Sequence, residues 1–227
     1  HHPLIDWGKT LFVAETDGVS VAGRIAGLCR NLADEVVVAL NADEFPVVIG
    51  GDHSVAIGTW SGVARAMGGP IGLLWIDAHL DSHTPETSYS GAIHGMPLAC
   101  LLGRGDKRLL NIGLTGAQVI PAHTVVIGPR SYEPEELEFL QRMQVRIIDS
   151  DEILRRGFAE CLDEAIDIVT GAPDGFGITV DLDAIDPQLA PGVGSPEPDG
   201  LVVHDVVETL RRTGGLPGLK ALEIVEY

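Results

Sequence analysis

The sequence predicts an α/β domain built on a parallel sheet covered on both faces. Three observations carry this reading. Short apolar runs alternate along the chain with longer segments whose apolar residues recur every three or four positions, a helix period. That alternation is the mark of parallel strands buried between helices. Several runs then end in clusters of Gly, Asp or His, and the carboxyl ends of strands are where open α/β sheets collect ligands. A chain of 227 residues with 45% hydrophobic content and a mean hydropathy of +0.20 has the material for one large buried core.

Taken in order, residues 20–41 carry apolar side chains at Val21, Ile25, Leu28, Leu32, Val36 and Leu40, with Ser20 as N-cap. Residues 45–49 read as a short buried strand closed by Gly50 and Gly51. Asp52, His53 and Ser54 then open a helical stretch running to Met67. Residues 72–76 are uninterrupted by any polar side chain and read as a strand buried on both faces. A loop rich in Ser, Thr and Pro fills 82–95, and 96–102 reads as helix. Further strands are expected at 124–127, 145–148, 176–180 (ending in Asp181) and Leu219–Val225. Further helices are expected at Pro134–Met143, Phe158–Thr170 and Val203–Thr213; Glu135, Glu136 and Glu138 suit the N-terminal part of the first. No repeat or linker divides the chain, so residues 1–227 read as a single domain. Both ends read as clipped: no clear first strand opens the chain, and a central one closes it. His1 and His2 read equally well as native sequence or as a tag remnant.

Composition narrows the partners. A net charge of −18 opposes nucleic acid and anionic membranes, whose recognition needs a basic face, and suits a cationic small molecule. No apolar run reaches bilayer length, and the first residues do not resemble a signal peptide. Cys29, Cys100 and Cys161 are widely spaced in apolar surroundings, which argues for reduced, structural thiols and a reducing cytoplasm.

The chemistry centres on residues 73–81, where Leu73, Leu74, Trp75 and Ile76 run into Asp77, His79 and Asp81. Burying a carboxylate at a strand end is costly without positive compensation. Side chains at alternate positions of an extended segment point the same way, so these three can converge on a cation. An N-cap Asp followed by a polar loop accounts for Asp77 or Asp81 alone, but poorly for the full D-x-H-x-D spacing. Asp181 and Asp183 repeat the pattern after a second apolar strand, whereas Asp186 with Pro187 reads as a turn. His53 lies just beyond the Gly50–Gly51 turn. Six ligand candidates follow: His53, Asp77, His79, Asp81, Asp181 and Asp183. Four carboxylates carry more charge than one divalent ion needs and suit two, and oxygen-rich ligation favours Mn²⁺ or Mg²⁺ over a thiolate-type zinc site. Two such ions, typically about 3.5–4 Å apart, support hydrolysis. His94, in a loop beside Gly95, is a candidate proton carrier. Alternation sends Glu226 and Glu223 to opposite sides of the last strand, either one able to pair with a cationic substrate or with a protein cation.

These motifs, GGDHS at 50–54, DAHLD at 77–81, SGAIHGMP at 90–97, DLDAIDP at 181–187 and EIVE at 223–226, resemble the ureohydrolases, which include arginase, agmatinase, guanidinobutyrase and formimidoylglutamase. They occur in family order and span most of the chain. The resemblance implies a three-layer α/β/α fold, two Mn²⁺ per chain and a trimer or hexamer. It implies one ion on His53, Asp77, Asp81 and Asp181 and the other on Asp77, His79, Asp181 and Asp183, with a bridging hydroxide attacking the guanidinium carbon. Asp81 then protonates the departing amine, His94 shuttles protons and Glu226 pairs with the guanidinium. Spacing from Asp81 to Pro97 is arginase-like; Ser90 matches a position holding the substrate α-carboxylate, and the stretch containing Glu133 matches one holding the α-amino group. The expected substrate is L-arginine, giving L-ornithine and urea. The alternatives are another guanidino compound, a non-catalytic relative, or a single-zinc deacetylase of related architecture. His83 and Ala92 replace two usual Asn residues, Glu133 an usual Asp, and Ser195 begins a segment that usually begins with Thr. The tail-binding end of the pocket, His83 included, is therefore expected to be altered.

Overall fold

The computed structural model describes residues 20–227, and the readings that concern His1, His2 and the start of the chain lie outside them. Among the described residues, six strands form one all-parallel sheet in the order β1-β6-β5-β2-β3-β4. They are β1 (Val47–Ile49), β2 (Ile71–Ile76), β3 (Val119–Ile127), β4 (Arg146–Ile148), β5 (Phe176–Asp181) and β6 (Leu219–Val225). The helices are α1 (Val21–Asn41), α2 (Ala56–Met67), α3 (Pro97–Leu101), α4 (Pro134–Met143), α5 (Ser150–Arg156), α6 (Phe158–Thr170) and α7 (Val203–Thr213).

Strand β2 shows why the protein has three layers. All six of its residues are buried, and alternate side chains serve opposite cores. Leu73 and Trp75 join Trp60, Val63, Leu98 and Leu140 on the side of α1 to α4. Leu74 and Ile76 join Leu162, Val169, Ile178 and Val206 on the side of α6 and α7. Helix α1 starts as expected, with the Ser20 hydroxyl accepting from the Gly23 amide. It packs closely on α2 because Gly62 has no side chain: a Cβ there would lie 2.8 Å from the Ala33 carbonyl.

The structure departs from the expected elements in three places. Strand β1 is not buried: among the described residues it pairs only with β6, and Val47 is 53% and Ile49 67% exposed. An apolar run does not reveal whether its strand has one neighbour or two. Helix α5 was not foreseen; at seven residues it is too short to show a period, although the Asp149 cap and the Arg155–Arg156 ending are visible afterwards. Strand β3 also begins five residues earlier than expected, across Pro121. Among the described residues, no helix is long and apolar enough to cross a membrane.

Candidate metal centre

The carboxyl ends of β1, β6, β5 and β2 lie side by side, and each delivers part of one site. Beyond β1, Gly50 and Gly51 lead into a short 3-10 turn that buries His53; the Asp52 side chain caps it by accepting from the Ser54 amide. Asp77 follows the last residue of β2, Asp181 ends β5, and Glu226 follows β6. The turn after β2 is tight. Asp77 Oδ1 accepts from the His79 amide at 2.7 Å, and Asp81 adopts a left-handed φ of 44°. A non-glycine residue in that region is uncommon, and such residues gather at functional sites. Glu226, with φ 58°, is a second case.

The buried Nδ1 of His53 lies 3.1 Å from each of Asp77 Oδ2, Asp81 Oδ2 and Asp181 Oδ2, yet it forms no well-aligned hydrogen bond with any of them. An orphaned nitrogen surrounded by three carboxylates is the donor arrangement a divalent cation completes. Alongside it, His79 Nδ1 is 3.4 Å from Asp77 Oδ1 and 3.2 Å from Asp183 Oδ2. His53 with Asp77 and Asp181, and His79 with Asp77 and Asp183, therefore make two potential metal sites that share Asp77. All six residues expected to hold metal meet here.

The electrostatics suit a cation-binding site. Burial, followed by the charge of Asp77, pushes the carboxyls of Asp81 and Asp181 upward, and burial likewise raises Asp183. Burial opposes a charge on His79, but Asp183 and Asp77 outweigh it and lift the imidazole to about 11.

Surrounding groups fix the His53 ring. Trp75 stacks on it at 4.1 Å with a 16° interplanar angle, and the Trp75 indole donates to Asp77 Oδ2 at 2.8 Å. His53 Nε2 meets Thr179 Oγ1 at 3.0 Å; that hydroxyl donates to Glu223 Oε1 at 2.8 Å, which also accepts from the Trp60 indole. Glu223 is thus fully buried against Trp60 and Thr179. A metal-ligating His commonly leans on such an outer hydrogen bond. Sequence reasoning singled out neither Thr179 nor Trp60, because only the sheet register brings them to His53.

A cavity of about 320 Å³ opens above the cluster, and among the described residues no Lys or Arg lines it. His94 Nδ1 lies 3.7 Å from Glu226 Oε1, which also accepts from the His53 amide at 3.3 Å. At the outer end, His83 Nε2 is 3.0 Å from Glu133 Oε2, and its Nδ1 is 3.0 Å from Thr87 Oγ1. Glu136, read from the sequence only as a helix-terminal charge, joins them: it caps α4 reciprocally with Glu133 and lies 3.5 Å from His83 Nε2. Ser90 lines the same end, its hydroxyl accepting from the Ala92 amide. Ala92 adds no polar group.

A parallel α/β sheet with this donor set at its carboxyl edge defines a metal-dependent hydrolase. The sequence pattern of the arginase family matches residues 4–227, and the chain belongs to that family. It is 38% identical to the arginase of Brevibacillus brevis, over 93% of this chain and 71% of that protein. It is 41% identical to the arginase of Bacillus caldovelox, over 80% of this chain and 60% of that one. The chain thus spans between three-fifths and three-quarters of the length of these relatives. The crystal structure of arginase from Bacillus cereus superposes with a TM-score of 0.87 at 34% identity, covering 94% of this chain and 73% of the other. The native Bacillus caldovelox arginase gives 0.87 at 36%, covering 95% and 72%.

Proposed function

We propose that the protein is an arginase that hydrolyses the guanidinium group of L-arginine to L-ornithine and urea with two Mn²⁺ ions. The observation that carries this is the pair of His–carboxylate groups sharing Asp77 at the floor of a cavity that, among the described residues, no Lys or Arg lines. Family membership supports it. One ion is assigned to His53, Asp77, Asp81 and Asp181, the other to Asp77, His79, Asp181 and Asp183. When bound, the ions supply an activated water as nucleophile and charge stabilisation for the reacting carbon.

The remaining roles belong to the chain. Glu226 pairs with the guanidinium and orients its carbon over the floor. A bond forms from water oxygen to that carbon, and the bond from carbon to the substrate nitrogen breaks. Asp81 passes a proton to that nitrogen as it leaves as an amine, and His94, half-open to solvent, moves protons between the site and bulk water. His83, Ser90 and Glu133 receive the amino-acid tail. The substrate is thereby a small guanidino cation, drawn by the negative field.

We further infer a cytoplasmic enzyme, supported by three free, buried cysteines, and a homo-oligomer (trimer or hexamer) as the family resemblance implies. The test is urea release by manganese-loaded protein from L-arginine, agmatine and 4-guanidinobutyrate. Arginine is expected to turn over fastest; faster turnover of agmatine would assign the altered tail pocket, with His83 and Ala92, to a different guanidino substrate.

A further inference from the structure

The two histidines of the centre are braced differently. A histidine can ligate through Nδ1 only if Nε2 carries the proton, and that N–H then calls for an acceptor. For His53 the Thr179 hydroxyl fills this place at 3.0 Å, backed by Glu223. For His79 no hydrogen bond to Nε2 is formed among the described residues, and what faces it is a carboxylate, Glu197 Oε1, at 4.0 Å.

Glu197 does not sit there by chance of a wandering loop. The Arg130 guanidinium donates to the Glu197 carbonyl at 2.9 Å and to the Pro198 carbonyl at 2.8 Å. The same group donates to the carbonyls of Asp183 at 2.8 Å and Ala184 at 3.2 Å, and the Arg130 amide donates to the Ala78 carbonyl at 2.8 Å. One arginine therefore ties residue 197 to the segments bearing Asp183 and His79, the two groups particular to the second metal position. The Glu197 side chain is 33% exposed and lines the cavity, so it is free to close the remaining distance of about 1 Å to a hydrogen bond with Nε2.

We propose that Glu197 is a positioning residue for the second metal: it accepts from His79 Nε2, fixes the tautomer that leaves Nδ1 as donor, and is itself held by Arg130. This rests on the two-metal reading above. Being partly exposed, Glu197 tolerates substitution without loss of the fold. The experiment compares the wild-type chain with E197Q and E197A, titrating manganese against a competing chelator, counting bound ions by elemental analysis and measuring KM and kcat for L-arginine.

The expected result is two ions in the wild type and a weaker ion loosened about 10- to 100-fold in E197A. E197Q, whose amide oxygen still accepts, should stay close to wild type; the tighter ion and the KM of the fully loaded enzyme should not change. Two ions held equally well by wild type and E197A would overturn this inference alone. So would a raised KM with unchanged metal affinity, which would make Glu197 a substrate contact. A wild-type chain binding one ion or none would overturn the two-metal reading and this inference with it.

Discussion

The imidazole of His94 and the carboxylate of Glu226 face each other across the cavity, Nδ1 to Oε1 3.7 Å, one from the loop before α3 and the other from the end of β6. Neither touches the His–Asp floor as a ligand, so proton transfer and metal binding are separable. His94→Ala is expected to retain its manganese while kcat falls by about 100-fold, within the usual range for a general acid–base group. Elemental analysis beside steady-state kinetics checks this, and loss of metal would contradict it.

Glu226 also sets the titration of His94. Its carboxylate favours the imidazolium and raises the His94 pKa. Glu226→Gln removes that preference, so the limb of the pH–rate profile due to His94 should move to lower pH, along with a higher KM for the guanidinium. A limb that stays in place would show that another group controls it.

Asp181 meets His53 at 3.1 Å, and its carboxyl is pushed upward by burial and then by the charge of Asp77. Asp181→Asn should cost most of the bound manganese. The metal-free variant should nonetheless melt at or above metal-free wild type near pH 7. A carboxylate whose pKa rises on folding burdens the native state as pH climbs above its ordinary value of 3.8 and imposes nothing below it. Melting curves in chelator at acid and neutral pH test the sign.

Metal uptake should expel protons. Asp81, Asp181 and Asp183 are all raised by burial, and His79 stands at about 11, so the metal-free centre holds protons that a cation must displace. Manganese affinity is therefore expected to climb with pH. Calorimetry in two buffers of different ionisation enthalpy should give different apparent heats; equal heats would refute it.

Gly177 on β5 supports the centre from beneath. A Cβ there would come within 1.9 Å of the Trp60 ring, whose indole holds Glu223. Gly177→Ala should cost about 1–3 kcal/mol through overpacking, lowering Tm by several degrees, and should loosen manganese through the Glu223–Thr179–His53 relay. Thermal melts and metal titration measure the two effects separately.

The long elements were legible because their signals are local. Pro134–Met143, Phe158–Thr170 and Val203–Thr213 end where the sequence placed them, their periods being long enough to read. The clustering of the candidate ligands was legible for a similar reason: DAHLD and DLD put donors at alternate positions of a strand end, and β2 and β5 are neighbours. What escaped was set at a distance. The exposure of β1 depends on which strands flank it. Glu136 reaches His83 only after α4 has folded, and Glu197 reaches His79 only because Arg130 draws a loop back from beyond Asp183.

Trp75 stands face to face with His53 and hydrogen-bonds Asp77, so it touches a donor of each metal position. Any exchange of proton for cation between those two groups changes the field across the indole. The protein thus contains its own optical gauge. The intrinsic emission of Trp75 should report filling of the centre in real time and without a dye, with Trp60 reading the same event more faintly through Glu223.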